Sequence, residues 1–442
     1  MTERKLRRRD FLRLSATATV GMLAAACALP TAGVGGEEAQ VVEKEPTLIR
    51  VHHRLGGECD NWEYWAQKFN DEHSPDIDVK MECSPGADYF KKLNVMAAGG
   101  TIGDIVWISS IEGFYRMAAT GVFAPLDDLV ADTGFDLGGI YELAVEAAKH
   151  EGKLYGLPQL SHPGRTGLFY DMTLFDAAGI DYPDDTWTYD DLLAAAQQLT
   201  NPDEGVFGID PTNGYFGILV DLRAWGGDVI NEDGTTCPIN SPEAVAALKF
   251  RSDLYHTHKV AALPGQVLEG TTQMVAANKL AMFQSGFWGW STRNFLERPD
   301  TLGVAPMPKG TTGHMGSMFE SDPACLTTNS EHKQEAFEFM SIFTTFDYQF
   351  RAWQEHGHMS CRPDVMNNEE VLQDPMMKVF AGIFAQAMPL VLPANFRETE
   401  YFKTITEELS VIWLGQKTVD EVIDDIQKKA QDILDKSSLE VA

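Results

Sequence analysis

Two tryptophans, Trp288 and Trp290, lie two residues apart in an aromatic-rich segment of the chain. In an extended strand this spacing places both indole rings on one face. A flat ring stacks well on the apolar C–H face of a sugar, and planar charged groups can hold the surrounding hydroxyls. The pair therefore indicates a site for a polyhydroxylated small molecule, with core packing of one ring as the alternative.

Two further tryptophans are candidates for the same kind of contact. Trp107 ends a continuous apolar run, where the carboxyl end of a buried strand would face a cleft, and core packing is the competing interpretation. Trp225 precedes Gly226 and Gly227, which would let a loop approach a ligand closely.

Polar candidates follow the predicted strands, open the next helix, or flank prolines, and for each of them a solvated or structural role is the alternative. They are His52, His53, Arg54, Glu58, Asp60, Gln159, His162, Glu320, Asp322 and Arg362. No GxSxG, HExxH or GxxxxGK[ST] motif occurs, and no CxxC pair suggests a zinc site. We therefore expect no catalytic residue, no bound metal and no cofactor.

The elements that must position these residues begin with a β-α-β-α-β pattern. Residues 49–53, 77–81 and 104–108 are predicted strands, separated by helices that begin at Asp60 and at Tyr89. Such a pattern opens a doubly wound sheet, in which ligands bind at the carboxyl ends of the strands. This points to the segments after residues 53, 83 and 107. Downstream, Thr188, Ser241, Ser330 and Thr418 are predicted to cap further helices.

The first 27 residues have the features of an export signal rather than of a fold. Residues 8–13 (Arg-Arg-Asp-Phe-Leu-Arg) resemble a twin-arginine motif, and the apolar segment 14–26 ends in three alanines before Cys27, as in a lipobox. We expect Cys27 to carry the lipid, and an ordinary secretory signal with an incidental cysteine is the alternative. Residues 28–46 are predicted to be a flexible tether.

Composition narrows the class of partner. The 442 residues carry a formal net charge of -30, which disfavours nucleic acid and anionic lipid headgroups. The length suits two lobes better than a single core. No internal repeat is visible, and the only obvious tether is near the N-terminus, so the lobes must be interwoven.

Five cysteines remain after Cys27, and they are either small buried hydrophobic residues or partly disulfide-bonded. Cys59 would lie where the first helix begins and Cys83 just after the second strand. In a right-handed βαβ unit these two points share one sheet edge, so a Cys59–Cys83 disulfide is the pairing to test.

From about residue 47 to 436 the order of motifs resembles the bacterial extracellular solute-binding proteins that include maltose-binding protein. The stretches that carry the resemblance are 103–107 (GDIVW), 121–128 (GVFAPLDD), 152–158 (GKLYGLP), 168–187 (starting LFYD, with Asp171-Met172 where Asn-Lys is usual), 225–227 (WGG), 282–290 (MFQSGFWGW) and 415–421 (GQKTVDE). Each motif is weak alone, and their order is specific.

This resemblance implies an α/β, two-lobe periplasmic-binding-protein fold of the Venus-flytrap type II class, with discontinuous lobes and a hinge of several crossings. It places lobe I at residues 47–158 and 322–373, and lobe II at 159–321 and 374–442. It aligns Trp288 and Trp290 with the aromatic pair that packs on sugar rings, and Tyr170 with a cleft tyrosine. Phe396 and Tyr401 fall in a region that closes the cleft in relatives.

The implied function is the substrate-binding component of an ABC importer, a monomer that closes around a carbohydrate and delivers it to the transmembrane permease subunits. It would be exported and held at the outer face of the cytoplasmic membrane by its lipid. The alternatives are the same fold with another solute (a polyamine, a glycerol phosphate ester or a chelated metal), a partner of a signalling receptor, and an exported glycoside hydrolase.

Overall fold

The computed structural model describes residues 45–266, 270–289 and 300–438. The signal, Cys27 and most of the tether precede the first described residue, and Trp290 falls in the gap after residue 289. Within the described ranges no helix is both long enough and apolar enough to cross a membrane.

The strands carry most of the polar candidates. They are β1 (Thr47–Arg54), β2 (Ile77–Ser84), β3 (Ile105–Trp107), β4 (Lys149–His150), β5 (Lys153–Leu154), β6 (Gly156–His162), β7 (Gly167–Asp171), β8 (Phe207–Asp210), β9 (Leu280–Ser285), β10 (Leu302–Pro306) and β11 (Glu320–Leu326).

Helices cover the sheets. They are α1 (Gly57–His73), α2 (Gly86–Ala98), α3 (Phe114–Ala119), α4 (Asp127–Thr133), α5 (Glu142–Ala147), α6 (Met172–Ala178), α7 (Tyr189–Leu199), α8 (Tyr215–Trp225), α9 (Pro242–His256), α10 (Gly270–Ala276), α11 (Lys333–Ser341), α12 (Phe346–His356), α13 (Pro363–Met366), α14 (Pro375–Phe384), α15 (Glu398–Trp413) and α16 (Val419–Leu434).

The first sheet has the strand order β2-β1-β3-β11-β6. Strands β2 and β3 both run parallel to β1, so the predicted β-α-β-α-β start is confirmed. Strand β11 returns from late in the chain and pairs antiparallel with both β3 and β6. The carboxyl end of β1 therefore lies in the same sheet as the residues of β11, although some 270 positions separate them in the sequence.

The second sheet has the order β10-β7-β9-β8, with β7 antiparallel to both of its neighbours. Each sheet has its own hydrophobic cluster, and a third cluster joins them, with Leu160 from β6 and Phe169 from β7 among its members. The chain leaves the first sheet after His162 and re-enters it at Glu320. The first part of lobe I is predicted to end at residue 158, and the first sheet continues a few residues further, to His162. The second part of lobe I is predicted to start at residue 322, and the sheet resumes two residues earlier, at Glu320.

Several predicted caps are confirmed. Thr188 and Asp191 form a capping box at α7, Ser241 accepts a hydrogen bond from the N–H of Ala244 at α9, and Thr418 caps α16 with Glu421. Helix α1 instead begins at Gly57, before the predicted cap at Asp60. Gly56 has φ 140°, a conformation that suits glycine, so it turns the chain and the helix starts without a side-chain cap.

Helix α11 begins at Lys333, three residues after the predicted cap Ser330. The Ser330 Oγ accepts a hydrogen bond from the N–H of His332 at 3.2 Å, which makes a turn before the helix rather than its first cap. The helix therefore begins two residues later than a cap at Ser330 predicts.

Cys59, in the first turn of α1, and Cys83, near the end of β2, form a disulfide with their Cα atoms 6.6 Å apart. The remaining described cysteines, Cys237, Cys325 and Cys361, are free and buried.

We expect thiol labelling to distinguish these two groups. Protein produced without residues 1–27 and unfolded in denaturant should label at three thiols without reductant and at five after reduction, measured by intact-mass spectrometry. Burial should keep the three free thiols unlabelled in the folded protein. Five labelled thiols without reductant would contradict the pairing.

Candidate ligand-binding cleft

The largest of three described cavities lies at the carboxyl end of the first sheet and has a volume of about 540 Å³. Its lining comes from strands of the first sheet, from helices, and from loops of both halves of the fold: Arg54, Glu58, Ser109, Ile111, Glu112, Leu160, His162, Arg165, Phe216, Phe287, Trp288, Glu320, Asp322, His356 and His358. The other two cavities are about 140 Å³ each. Only the largest falls in the range of typical small-molecule sites.

One wall is built from the end of β1 and the start of α1. Arg54 Nη2 donates to Glu58 Oε1 at 2.8 Å, and the Arg54 guanidinium lies 4.2 Å from the centre of the Trp107 ring. Burial opposes ionisation of Glu58, but the charge of Arg54, with smaller contributions from His358 and His53, outweighs it and lowers the pKa of Glu58 to about 2. Glu58 is therefore a carboxylate at neutral pH, and its Oε2 has no hydrogen-bond partner.

A second wall is formed by β11, where Glu320 and Asp322 alternate onto one face of the strand. Burial raises the pKa of Glu320 to about 7, and burial together with the nearby Glu58 raises the pKa of Asp322 well above its ordinary value. Asp322 is 3% exposed, and its Oδ1 has no partner. His162 Nε2 lies 3.7 Å from Glu320 Oε2, but burial lowers the pKa of His162 to about 3, so the imidazole is neutral.

The third wall is aromatic. The half-buried Trp288 lies beneath the Arg165 guanidinium, which is 5.2 Å from the ring centre. Phe287 packs edge-on against Trp288 with the ring centres 5.6 Å apart, and His162 lies 4.9 Å from Phe287. An apolar platform and a row of carboxyl groups thus line the same cavity, an arrangement that suits a ligand with flat apolar faces and polar edges.

Six predicted site residues line this cavity together. They are Arg54, Glu58, His162, Trp288, Glu320 and Asp322. Trp290, the other member of the predicted aromatic pair, lies outside the described residues.

The structure places the other predicted aromatic residues in cores instead of in the cleft. Trp107 is fully buried because β3 is a central strand, and it reaches the site only as support for Arg54. Tyr170 packs on Phe175 and Tyr182 in the core of the second sheet. Tyr401 is buried on α15.

Tyr401 donates its hydroxyl hydrogen to the carbonyl of Val229. Trp225 packs on Tyr189 at the end of α8. Phe396 has φ 59°, which turns its loop, and its ring lies 5.8 Å from that of His150, away from the cavity.

Three predicted polar residues also have structural roles. His52 Nε2 accepts from the N–H of Gly103 at 2.9 Å, and His52 is not part of the cavity lining. Gln159 Oε1 accepts from the Tyr348 hydroxyl at 2.9 Å, inside the first core. Arg362 binds Asp364 at 2.6 Å and caps the carbonyl of Thr344.

Sequence reasoning named none of several other lining residues. Ser109, Ile111 and Glu112 follow β3, a segment that the rule about strand ends had indicated without naming residues. Arg165 lies in the crossing between β6 and β7. His356 is the last residue of α12 and His358 follows the helix. Neither has a local signal in the sequence, because only the tertiary fold brings them to the site.

Metal binding has little support in the described ranges. The single group of possible metal ligands found there is Cys59, Glu63 and Cys83, and the disulfide uses two of its three members. It lies beside the cleft lining, not within it.

Comparisons with known proteins agree with this architecture. A putative binding protein of Brucella abortus (strain 2308) is 25% identical over 387 residues, which cover 84% of this chain and 89% of that protein. An arabinooligosaccharide-binding protein of Halalkalibacterium halodurans is 25% identical over 239 residues, covering 52% of this chain and 53% of that protein.

Among solved structures, an ABC substrate-binding protein from Listeria monocytogenes in complex with cycloalternan matches with a TM-score of 0.78 and 22% identity. The match covers 88% of this chain and 99% of that one. It confirms the predicted α/β fold with two lobes.

The family model described as bacterial extracellular solute-binding protein matches residues 64–379. That family is exported, and its relatives are binding proteins of transporters. Since the match covers well over half of the sequence, this chain belongs to the bacterial extracellular solute-binding proteins.

Proposed function

We propose that this protein is the substrate-binding component of an ABC importer and that it captures a carbohydrate in the cleft. The observation that carries the proposal is that the half-buried Trp288 lines one cavity together with the buried carboxyl groups of Glu58, Glu320 and Asp322. An indole offers a stacking surface for a sugar ring, and carboxyl oxygens without partners accept or donate hydrogen bonds to hydroxyls. The names of two relatives, which bind cycloalternan and an arabinooligosaccharide, support this class of ligand.

The proposed mechanism is closure of the two lobes around the sugar, which the permease subunits then recognise in the closed form. The proposed lobes are residues 47–158 with 322–373, and 159–321 with 374–442. Ligand contacts to both walls would favour the closed state, since a ligand shifts an equilibrium only by its differential affinity. The protein would act as a monomer and would break no bond.

We also propose that residues 1–27 are a twin-arginine lipoprotein signal and that the lipid on Cys27 anchors the protein outside the cytoplasmic membrane. The proposal rests on the order of the arginine pair, apolar segment and small residues before the cysteine. A Cys27→Ser chain would be released into the soluble fraction if Cys27 is the anchor.

Binding of a carbohydrate can be tested by the melting temperature. At least one member of a panel of mono- and oligosaccharides should raise it, because a ligand of the native state stabilises that state. Trp288→Ala should weaken binding of that sugar by about 1–3 kcal/mol, measured by calorimetry, as expected for loss of an aromatic anchor.

The matched control is Trp187→Ala, which removes another half-buried tryptophan outside the cleft lining and should leave the affinity unchanged. A panel without any stabilising sugar would refute the carbohydrate assignment. Equal affinity of the Trp288→Ala protein and the unaltered protein would refute the assigned cleft wall.

Glycoside hydrolysis is the rival that one observation favours. The cleft pairs a carboxylate, Glu58, with a carboxyl group of raised pKa, Glu320, and two such groups are what acid-assisted hydrolysis requires. Incubation of the pure protein with the stabilising oligosaccharide separates the two functions. Recovery of intact sugar supports binding alone, and the appearance of shorter products supports hydrolysis.

A further inference from the structure

The cleft has more acidic than basic groups. Its lining holds four carboxyl groups, on Glu58, Glu112, Glu320 and Asp322, and two guanidinium groups, on Arg54 and Arg165. Its three histidines, His162, His356 and His358, have their pKa values lowered by burial, so they do not supply the missing positive charge at neutral pH.

One of the two guanidinium groups already forms an ion pair within the protein. Arg54 donates to Glu58 at 2.8 Å and covers the Trp107 ring, so this pair is neutral as a unit. Apart from this pair, the lining has three carboxyl groups, on Glu112, Glu320 and Asp322, and one guanidinium group, on Arg165.

Arg165 does not pair closely with any of these carboxyl groups. It stacks on Trp288, and within the described part of the chain no carboxylate oxygen comes within ion-pair distance of it. Asp322 Oδ1 is buried without a partner, and the cleft contact of Glu320 is the neutral His162. Both carboxyl groups of β11 line the cavity. The charges of Arg165 and Arg54 act on Glu320 and that of Arg54 on Asp322, but within the described residues neither guanidinium donates a hydrogen bond to either carboxyl group.

We propose that the carbohydrate bound here carries a protonated amino group, which lies against Glu320 and Asp322 while an apolar sugar face rests on Trp288. This inference rests on the proposed carbohydrate-binding function. An ammonium group supplies both the charge and the three hydrogen-bond donors that these oxygens lack.

Titration of the two carboxyl groups gives the proposal a measurable consequence, which is proton release on binding. Burial raises the pKa of Glu320 to about 7, so part of this group is protonated near neutral pH, and the pKa of Asp322 is raised in the same direction. An arriving ammonium would lower both pKa values and release protons to the solvent. The charged or titratable groups around them are Arg54, Glu58, Glu112, His162 and Arg165, and the Ser109 hydroxyl is a hydrogen-bond partner of Asp322.

Calorimetry at pH 7 with matched sugars tests this. The probes are glucosamine, galactosamine, mannosamine and the glucosamine dimer and trimer, each beside its N-acetylated form, the parent neutral sugar and glucuronic acid. At least one amine should bind about tenfold tighter than its two neutral counterparts, on the scale of a charge-assisted hydrogen bond. Repeating the titration in buffers of different ionisation enthalpy should show proton release.

The variants Glu320→Gln and Asp322→Asn should each reduce the preference for the amine to about threefold or less. Glu398→Gln is the control, because Glu398 is a buried carboxyl residue outside the cleft, and it should keep the full preference. A thermal melt of each variant verifies that it is folded. Proton release by the unaltered protein is measured independently of the variants.

The outcomes separate this inference from the proposed function. Tighter binding of a neutral sugar or of glucuronic acid than of every amine would overturn the amine assignment and leave carbohydrate binding intact. Binding of an amine without proton release would also overturn it. Failure of every sugar, charged or neutral, to bind would remove both proposals.

Discussion

Replacing Arg54 with alanine should lower the free energy of unfolding by about 2–3 kcal/mol at pH 7. The guanidinium is the one described group that forms an ion pair with Glu58 at hydrogen-bond distance, and the Glu58 side chain is only 10% exposed. Removal of one partner from a buried pair leaves an uncompensated charge, which costs about 3–5 kcal/mol in fully buried cases. The estimate is lower here because the Arg54 side chain is 38% exposed.

Urea unfolding followed by circular dichroism measures this change, and Arg50→Ala supplies the control. Arg50 lies on the same strand and binds Glu82 at the same 2.8 Å, but both partners are about a third exposed, so its loss should cost less than about 1 kcal/mol. Adding Glu58→Gln to Arg54→Ala should recover part of the loss, since the stranded charge disappears. Equal losses at Arg50 and Arg54 would contradict the buried position of the Arg54–Glu58 pair.

Replacing Glu320 with glutamine should make the protein more stable at pH 8 than the unaltered chain, and have little effect at pH 5. Burial raises the pKa of Glu320 from 4.5 to about 7, so the folded state holds its proton over a range in which the unfolded state has lost it. The contribution of Glu320 to the free energy of unfolding is fully present below pH 4.5, where both states hold the proton. It is lost as the pH rises through 7, because ionisation then costs more in the folded state than in the unfolded state. A shift of this size corresponds to about 3 kcal/mol.

The measurement is urea unfolding of both proteins at pH 5, 6, 7 and 8. The difference in unfolding free energy between the two proteins should grow with pH. The Glu320→Gln protein should still lose some stability as the pH rises, because the pKa of Asp322 is raised in the same direction. The exposed Glu369→Gln serves as the control and should leave the pH dependence unchanged. A difference that is constant from pH 5 to pH 8 would show that Glu320 is not a buried titrating group.

Much of the fold could be predicted from local patterns. The periodicity of the first three strands and the capping residues Thr188, Ser241 and Thr418 report interactions between near neighbours in the sequence, and these predictions are confirmed. The starts of α1 and α11 were misplaced because Gly56 and the turn at Ser330 shift the first helical residue. The place of β11 between β3 and β6 depends on pairing over more than 150 residues, which no local pattern contains.

The site divides in the same way. The rule that ligands bind at strand ends indicates Arg54, Glu58 and the segment after β3, all of which reach the cleft. It cannot separate Arg54 from His52, which is two residues earlier on the same strand and is buried against Gly103. Trp107 has the right position along β3 for a contact, but burial of both faces of that strand places its ring in the core. Such distinctions depend on which helices cover the sheet.

The disulfide at the start of α1 has a consequence for any binding titration. Cys59 directly follows Glu58, and its bond to Cys83 ties the helical turn that presents this carboxylate to the neighbouring strand. A partly reduced sample would contain two populations that differ in how firmly this turn is held. Its isotherm would give an apparent stoichiometry below one, and full oxidation of the sample should restore the missing fraction.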